Sequence, residues 1–170
     1  MHPPQHAVRN AVRAASVVLA ALFTILAAAT PASAAPTSFS ASDRGEDGCT
    51  VFETAGQADW SVNSIPEMPP VELTGKTYTY ADGHMCLPVV PRDRHVEFIG
   101  YDRYGKPIAE LAVPVSVDGG SEYTEYLVGP YGTRIAYVTV AVCVTQPATG
   151  SGAVRDCGAT QVVYPQPARG

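Results

Sequence analysis

The strongest fold signal is Arg134-Ile-Ala-Tyr-Val-Thr-Val-Ala-Val-Cys-Val-Thr145, followed after a short gap by Val154-Arg-Asp-Cys-Gly-Ala-Thr-Gln-Val-Val-Tyr164. Both runs are rich in β-branched residues, and residues 146–153 between them read Gln-Pro-Ala-Thr-Gly-Ser-Gly-Ala, so the sequence predicts two antiparallel strands joined by a hairpin loop. If the loop is centred on Gly150, the numbers of paired residues add to 300, and Cys143 faces Cys157. A disulfide across the hairpin is predicted, because directly opposed residues bring their Cβ atoms within disulfide reach.

The chain has four cysteines, Cys49, Cys86, Cys143 and Cys157. An even number in an exported domain predicts two disulfides, with three possible connectivities. The hairpin favours Cys143–Cys157, which leaves Cys49 to pair with Cys86, although spacing alone does not exclude the other two connectivities. No C-x-x-C pair occurs, so the pattern is not that of a thioredoxin-like or zinc-ribbon site.

The N-terminal residues 1–34 have the three zones of a secretory signal peptide. Arg9 and Arg13 form a basic region, residues 14–29 are an apolar run, and Ala32-Ser33-Ala34 is an A-x-A cleavage site. We expect cleavage after Ala34 and export by the Sec route, since no paired arginines precede the apolar run. The alternative of an uncleaved anchor is disfavoured, because the run is shorter than the roughly 20 residues of a membrane span.

Cleavage would leave 136 residues, which is enough for one folded domain. Nine basic residues would then face 16 acidic ones, a net charge of −7. Nucleic acid and anionic lipid are poor partners for such a chain. The scarcity of lysine, with only Lys76 and Lys106, and the abundance of Ala, Gly, Pro and Val are typical of a high-GC bacterial genome.

The mature chain carries strand patterns and no helical apolar spacing. Residues 35–48 are small and polar and predict a flexible leader, in which Asp43, Glu46 and Asp47 are solvated acidic residues. Seven to nine short strands in residues 49–164 predict a single all-β domain, a small antiparallel β-sandwich with two disulfides. Residues 165–170 form a C-terminal tail.

One of these strands leads into Val96-Glu-Phe-Ile-Gly-Tyr-Asp-Arg-Tyr-Gly-Lys106. This stretch is similar to the Y-D-x-x-G hairpin that recurs in bacterial immunoglobulin-like domains. The resemblance implies an immunoglobulin-like or similar Greek-key sandwich, and we use it for architecture alone. Gly105 lies where such a hairpin needs a positive φ.

Catalytic and metal-binding signals are scarce in the mature chain. It has two histidines, His84 and His95, and no G-x-S-x-G elbow, so we predict no catalytic residue, no cofactor and no metal site. Asp82 and Asp93 each lie two residues before a histidine, and the two pairs could meet around zinc or copper if their strands were neighbours. Turn-forming aspartates at strand starts explain the same pattern without a metal.

Tyrosine is the more informative residue type, with nine in the chain. Tyr101 and Tyr104 lie at the predicted hairpin tip, where they are candidates for contact with an unknown protein or polysaccharide partner. The high β propensity of tyrosine explains this enrichment without any partner and is the favoured explanation. The sequence predicts a secreted, non-catalytic binding or envelope-associated domain. Its alternatives are a secreted inhibitor that presents loop 146–153 to a hydrolase, and a small secreted hydrolase that uses His84 or His95.

Overall fold

A computed structural model describes residues 35–62, 67–83, 94–116, 119–145 and 155–167, which lie within one compact unit, Ser33–Arg169. These ranges contain nine strands and no helix. The strands are β1 (Thr37–Arg44), β2 (Thr50–Asp59), β3 (Val71–Ala81), β4 (Arg94–Tyr101), β5 (Pro107–Pro114), β6 (Ser121–Leu127), β7 (Tyr137–Thr145), β8 (Arg155–Cys157) and β9 (Gln161–Val163).

The strands form two antiparallel sheets that pack face to face. One sheet has the order β1-β2-β3-β6, and the other has the order β5-β4-β7-β8, with β9 also paired to β7. The predicted all-β class with two antiparallel sheets is confirmed. Three sequence-neighbouring strands lie side by side in the four-stranded sheet, whereas immunoglobulin constant domains place their first, second, fifth and fourth strands in that order. The strands of the described ranges therefore do not follow the order of an immunoglobulin constant domain.

Three aromatic rings form the centre of the core. Strand register aligns Phe39, Gly56, Gly75 and Tyr123 in one row across the four-stranded sheet. A Cβ at Gly56 would lie 2.7 Å from the Phe39 ring, and one at Gly75 would lie 2.6 Å from the Tyr123 hydroxyl, so both positions need glycine. From the opposite sheet, Phe98 contacts both rings, at centroid distances of 5.5 Å to Phe39 and 6.0 Å to Tyr123. Aliphatic side chains complete this core, among them Val71, Leu73, Val96, Leu127, Val138, Val140 and Val142.

A hydrogen-bond chain satisfies the polar atoms next to these rings. The Thr54 hydroxyl donates to the carbonyl oxygen of Lys76 at 3.3 Å, and the Tyr123 hydroxyl lies 2.9 Å from the same Thr54 oxygen. Because the single Thr54 hydroxyl proton is used on that carbonyl, Tyr123 is the donor in the second bond. Burial raises the pKa of Tyr123 to about 12, so it keeps this proton at neutral pH.

The domain begins earlier than the sequence predicts. Residues 35–48 are expected to be a flexible leader, but Thr37–Arg44 form strand β1, which pairs with β2 along its whole length. Phe39 and Ala41 are buried, and the Ser40 amide donates to the Gln161 side chain at 2.7 Å. The alternation of apolar and small polar residues in this strand places one face in the core and the other in solvent.

The hairpin register is confirmed, because Cys143 pairs with Cys157 and the two form a disulfide. The second predicted strand divides into β8 and β9, and after Gly158 the paired positions add to 301. Cys49 is also disulfide-bonded. Its expected partner Cys86, the loop 146–153 and the signal sequence 1–34 lie outside the described residues.

We expect proteolytic mapping under non-reducing conditions to recover one peptide that links Cys143 to Cys157 and another that links Cys49 to Cys86. Each native disulfide contributes about 2 to 4 kcal/mol in a domain of this size. The reduced digest is the control, and both linked masses should disappear from it. A peptide that joins Cys49 to Cys143 would contradict the hairpin register.

Candidate functional site

The outer face of the five-stranded sheet carries a row of tyrosines. Residues alternate between the two faces along a strand, and Phe98 points into the core, so Tyr101, three residues further along β4, lies on the outer face. Tyr101 pairs directly with Tyr137 at the start of β7. The register between β7 and β9 places Tyr164 opposite Tyr137 on the other side. Three tyrosines therefore lie side by side, at the end of β4, at the start of β7 and directly after β9.

The rings of this row are in contact. Tyr101 and Tyr137 stack with centroids 4.9 Å apart and planes 6° from parallel, and Tyr137 and Tyr164 lie 5.4 Å apart. These distances match the spacing of adjacent strands in a sheet, so the backbone itself sets the ring spacing. The Tyr164 carbonyl oxygen accepts a hydrogen bond from the Thr37 hydroxyl at 2.9 Å, which attaches the backbone of this residue to β1.

The β4–β5 hairpin extends this row. The Asp102 carboxylate accepts hydrogen bonds from the amides of Tyr104 at 2.8 Å and Lys106 at 2.9 Å, and Gly105 adopts a φ of 79° as the sequence predicts. This turn leaves Tyr104 78% exposed, with the Arg103 guanidinium 4.7 Å from its ring centre. Tyr104 lies at the hairpin tip, as expected.

Tyr101 lies at the end of its strand and not at the tip. A Cβ placed at Gly105 would be 3.5 Å from the Tyr137 hydroxyl, so the hairpin and the tyrosine row adjoin. We call the four residues Tyr101, Tyr104, Tyr137 and Tyr164 the tyrosine surface. Both tyrosines named from the sequence belong to it, and the structure adds Tyr137 and Tyr164.

A different group lies at the other end of the same face. His95 and Glu97 are two residues apart on β4, and their Nε2 and Oε2 atoms are 4.0 Å apart. Cys143 is paired with His95 on the neighbouring strand. Glu97 and Cys143 are buried and His95 is half-buried, although all three face away from the four-stranded sheet.

The metal arrangement considered from the repeated Asp-x-His pattern is only partly described. Asp82 forms an ion pair with Arg44 at 2.6 Å on the four-stranded sheet, whereas His95 lies on the other sheet. His84 and Asp93 lie outside the described residues. Among the described acidic residues at 43–47, Asp47 accepts three hydrogen bonds from its own loop, which hold the pKa of its carboxyl below the usual value.

The outer face of the four-stranded sheet carries separate exposed tyrosines. Tyr80 donates to Glu53 at 3.2 Å, and Lys76 lies 5.5 Å from the ring centre of Tyr78. Desolvation together with the Glu53 charge raises the pKa of Tyr80. Tyr126 is half exposed on β6. Within the described ranges none of these three tyrosines stacks on another ring, so this face offers single rings among charged groups.

Comparison with known protein families, with curated proteins and with solved structures found no match for this chain. The described ranges contain no helix with the length and apolar character needed to cross a membrane.

Proposed function

We propose that this protein is a secreted, non-catalytic binding domain that contacts its partner through the tyrosine surface. The observation that supports the proposal is the row of Tyr101, Tyr137 and Tyr164, whose rings lie side by side on the outer face of the sheet. The partner class is a protein or a polysaccharide of the cell envelope or its surroundings. Export depends on residues 1–34 acting as a Sec signal peptide.

The geometry of the row favours binding because the rings are held before a partner arrives. Tyrosine offers a large flat face with a hydroxyl at its edge, and it loses little conformational entropy on contact. Stacking between Tyr101 and Tyr137 restricts these two rings further. Less entropy is then lost on association, and more of the contact energy appears as affinity. An isolated exposed ring such as Tyr126 lacks this advantage.

The inhibitor alternative has one observation in its favour. The Cys143–Cys157 disulfide joins the two strands at the base of the loop that the sequence predicts at 146–153. A braced loop of this kind could enter the cleft of an extracellular hydrolase. A stoichiometric complex with a protease that depends on this loop, and not on the tyrosine surface, would favour the inhibitor.

We expect Tyr137→Ala to weaken retention of a bound partner by roughly 30-fold or more, which corresponds to about 2 kcal/mol for a central interface residue. Tyr137 contacts both neighbouring rings, so its loss removes the centre of the row. The measurement is retention of the mature protein on insoluble envelope polysaccharides, and of soluble proteins from the culture supernatant on the immobilised domain. Tyr101→Ala and Tyr104→Ala test the part of the tyrosine surface that lies nearest the β4–β5 hairpin.

Tyr126→Ala is the matched control, since it removes an exposed tyrosine from the opposite sheet. It should change binding by no more than about half a kcal/mol. Circular dichroism verifies that each variant is folded. Unchanged retention in folded Tyr137→Ala, Tyr101→Ala and Tyr104→Ala variants would exclude the tyrosine surface. Substrate turnover that is lost in His95→Ala would replace the binding proposal with the hydrolase alternative.

A further inference from the structure

We propose that reduction of the Cys143–Cys157 disulfide creates a zinc site whose four ligands are His95, Glu97, Cys143 and Cys157. The proposal concerns the opposite end of the sheet from the tyrosine surface and is independent of the binding function. In the oxidised protein the two sulfur atoms are bonded to each other and are weak ligands, so this form is not the zinc-binding one.

Strand register places the four residues together. His95 on β4 pairs with Cys143 on β7, and Cys143 pairs with Cys157 on β8, so three of the ligands form one row. Glu97 is two residues from His95 on the same face. The ligand atoms of His95, Glu97 and Cys143 all lie within 4.8 Å of one another, and the Cys157 sulfur is 2.10 Å from that of Cys143.

These distances are close to what tetrahedral zinc requires. Zinc bonds of roughly 2.0 to 2.3 Å place neighbouring ligand atoms about 3.6 Å apart. The nitrogen of His95 and the oxygen of Glu97 are 4.0 Å apart already. The two sulfur atoms would separate after reduction, and small side-chain rotations would complete the site without a change in strand pairing.

The donor set and its burial select the metal. Two thiolates, one imidazole and one carboxylate are all ligands that zinc accepts, and the thiolates disfavour magnesium and calcium. Two thiolates and a carboxylate carry three negative charges, which a divalent cation largely offsets. Glu97 and Cys143 are buried, so water competes weakly for the cation. Without the metal, the reduced site would hold these groups close together in a poorly solvated place.

The two cysteines of the disulfide differ in solvent exposure, and this difference determines which sulfur atom a reductant attacks. Cys157 is exposed, whereas Cys143 is fully buried. A thiolate of a small dithiol reductant attacks the Cys157 sulfur, the S–S bond breaks, and Cys143 leaves as a thiolate. The second thiol of the reductant then displaces Cys157, so the protein gains two electrons and the reductant becomes a disulfide. Zinc replaces the protons that the two thiols would otherwise hold.

The experiment uses the mature protein and a Cys49→Ser/Cys86→Ser version, which leaves only the relevant disulfide. Each is reduced with a dithiol, freed of reductant without oxygen, and titrated with Zn²⁺ against a chromophoric chelator. We expect one Zn²⁺ per reduced chain and none per oxidised chain. Co²⁺ should give the visible absorption of a tetrahedral thiolate complex. EDTA should leave the melting temperature of the oxidised protein unchanged.

His95→Ala and Glu97→Gln should each weaken the affinity of the reduced protein for zinc by more than about tenfold. Glu122→Gln, the same change at an exposed position of β6, should leave it unaltered. Absence of zinc binding by folded reduced protein would overturn the proposal. So would equal affinity in the His95→Ala variant, because thiolates of an unfolded chain would bind zinc without this histidine. If the Cys49→Ser/Cys86→Ser version does not fold, the proposal is tested by comparing the zinc affinity of the reduced wild-type protein with that of its His95→Ala variant.

Discussion

Phe98→Ala is expected to lower the free energy of unfolding by about 3 to 5 kcal/mol, one of the largest losses available to a single substitution in this domain. Phe98 is fully buried and is the ring through which the five-stranded sheet meets both Phe39 and Tyr123 of the other sheet. Its removal leaves a cavity lined by the rings of Phe39 and Tyr123. These two rings pack over Gly56 and Gly75 and cannot easily move to fill the cavity. Urea unfolding at neutral pH measures the loss as a lower midpoint with an unchanged slope.

Tyr104→Ala is the matched control for this substitution, because it removes an aromatic ring that is largely exposed. Its effect on the free energy of unfolding should stay within about half a kcal/mol. A midpoint shift for Phe98→Ala as small as that of Tyr104→Ala would show that the two sheets do not depend on this ring. A domain of this size has only about 5 to 15 kcal/mol of stability, so the two outcomes are easily distinguished.

Local sequence predicts the hairpin of β7 and β8 well, since strand pairing there depends on a short connection. The pairing of Cys143 with Cys157 follows from symmetry about the loop, and the β4–β5 hairpin follows from Asp102 and the positive φ of Gly105. In both cases the residues that decide the structure are close along the chain. Turn chemistry and β propensity then suffice.

The strands that depend on distant partners are predicted less well. Strand β1 is mistaken for a leader because its residues are small and polar, and only the spacing of Phe39 and Ala41 indicates a buried face. Glycine normally weakens a strand, so Gly56 and Gly75 argue against continuous β2 and β3. Their neighbours Phe39 and Tyr123 cover them, and that compensation is visible only after the sheet is assembled.

The sequence predicts only two of the four residues of the tyrosine surface, for a similar reason. Tyr101 and Tyr104 stand out because they flank a recognisable turn. Tyr137 lies within a valine-rich core strand, and its opposition to Tyr164 depends on the one-residue register change after Gly158. If paired residue numbers added to 300 along the whole hairpin, Tyr164 would lie opposite Ala136 and not opposite Tyr137. Symmetry of the sequence about the loop therefore does not predict the row of tyrosines.

Asp43→Ala is expected to lower the free energy of unfolding by about 3 to 5 kcal/mol, the cost of removing one partner of a buried ion pair. Asp43 on β1 pairs with Nη1 of Arg94 on β4, and so connects the two sheets. The Arg94 side chain is 5% exposed and packs 4.3 Å from the Phe52 ring centre, and its Nε has no hydrogen-bond acceptor in the described part of the chain. Burial lowers the pKa of Arg94, while the Asp156 charge opposes this effect.

Arg94→Met should cost less than Asp43→Ala, because the remaining Asp43 carboxylate is 22% exposed and water can reach it, whereas an unpaired guanidinium stays enclosed. The methionine also keeps most of the contact with Phe52. The double variant Asp43→Ala/Arg94→Met should therefore be more stable than Asp43→Ala alone, since it removes the buried charge together with its partner. Urea midpoints of the three variants test this order. A double variant whose loss of stability relative to the wild type equals the sum of the two single losses would show that the two side chains act independently, and that the ion pair does not hold β1 to the opposite sheet.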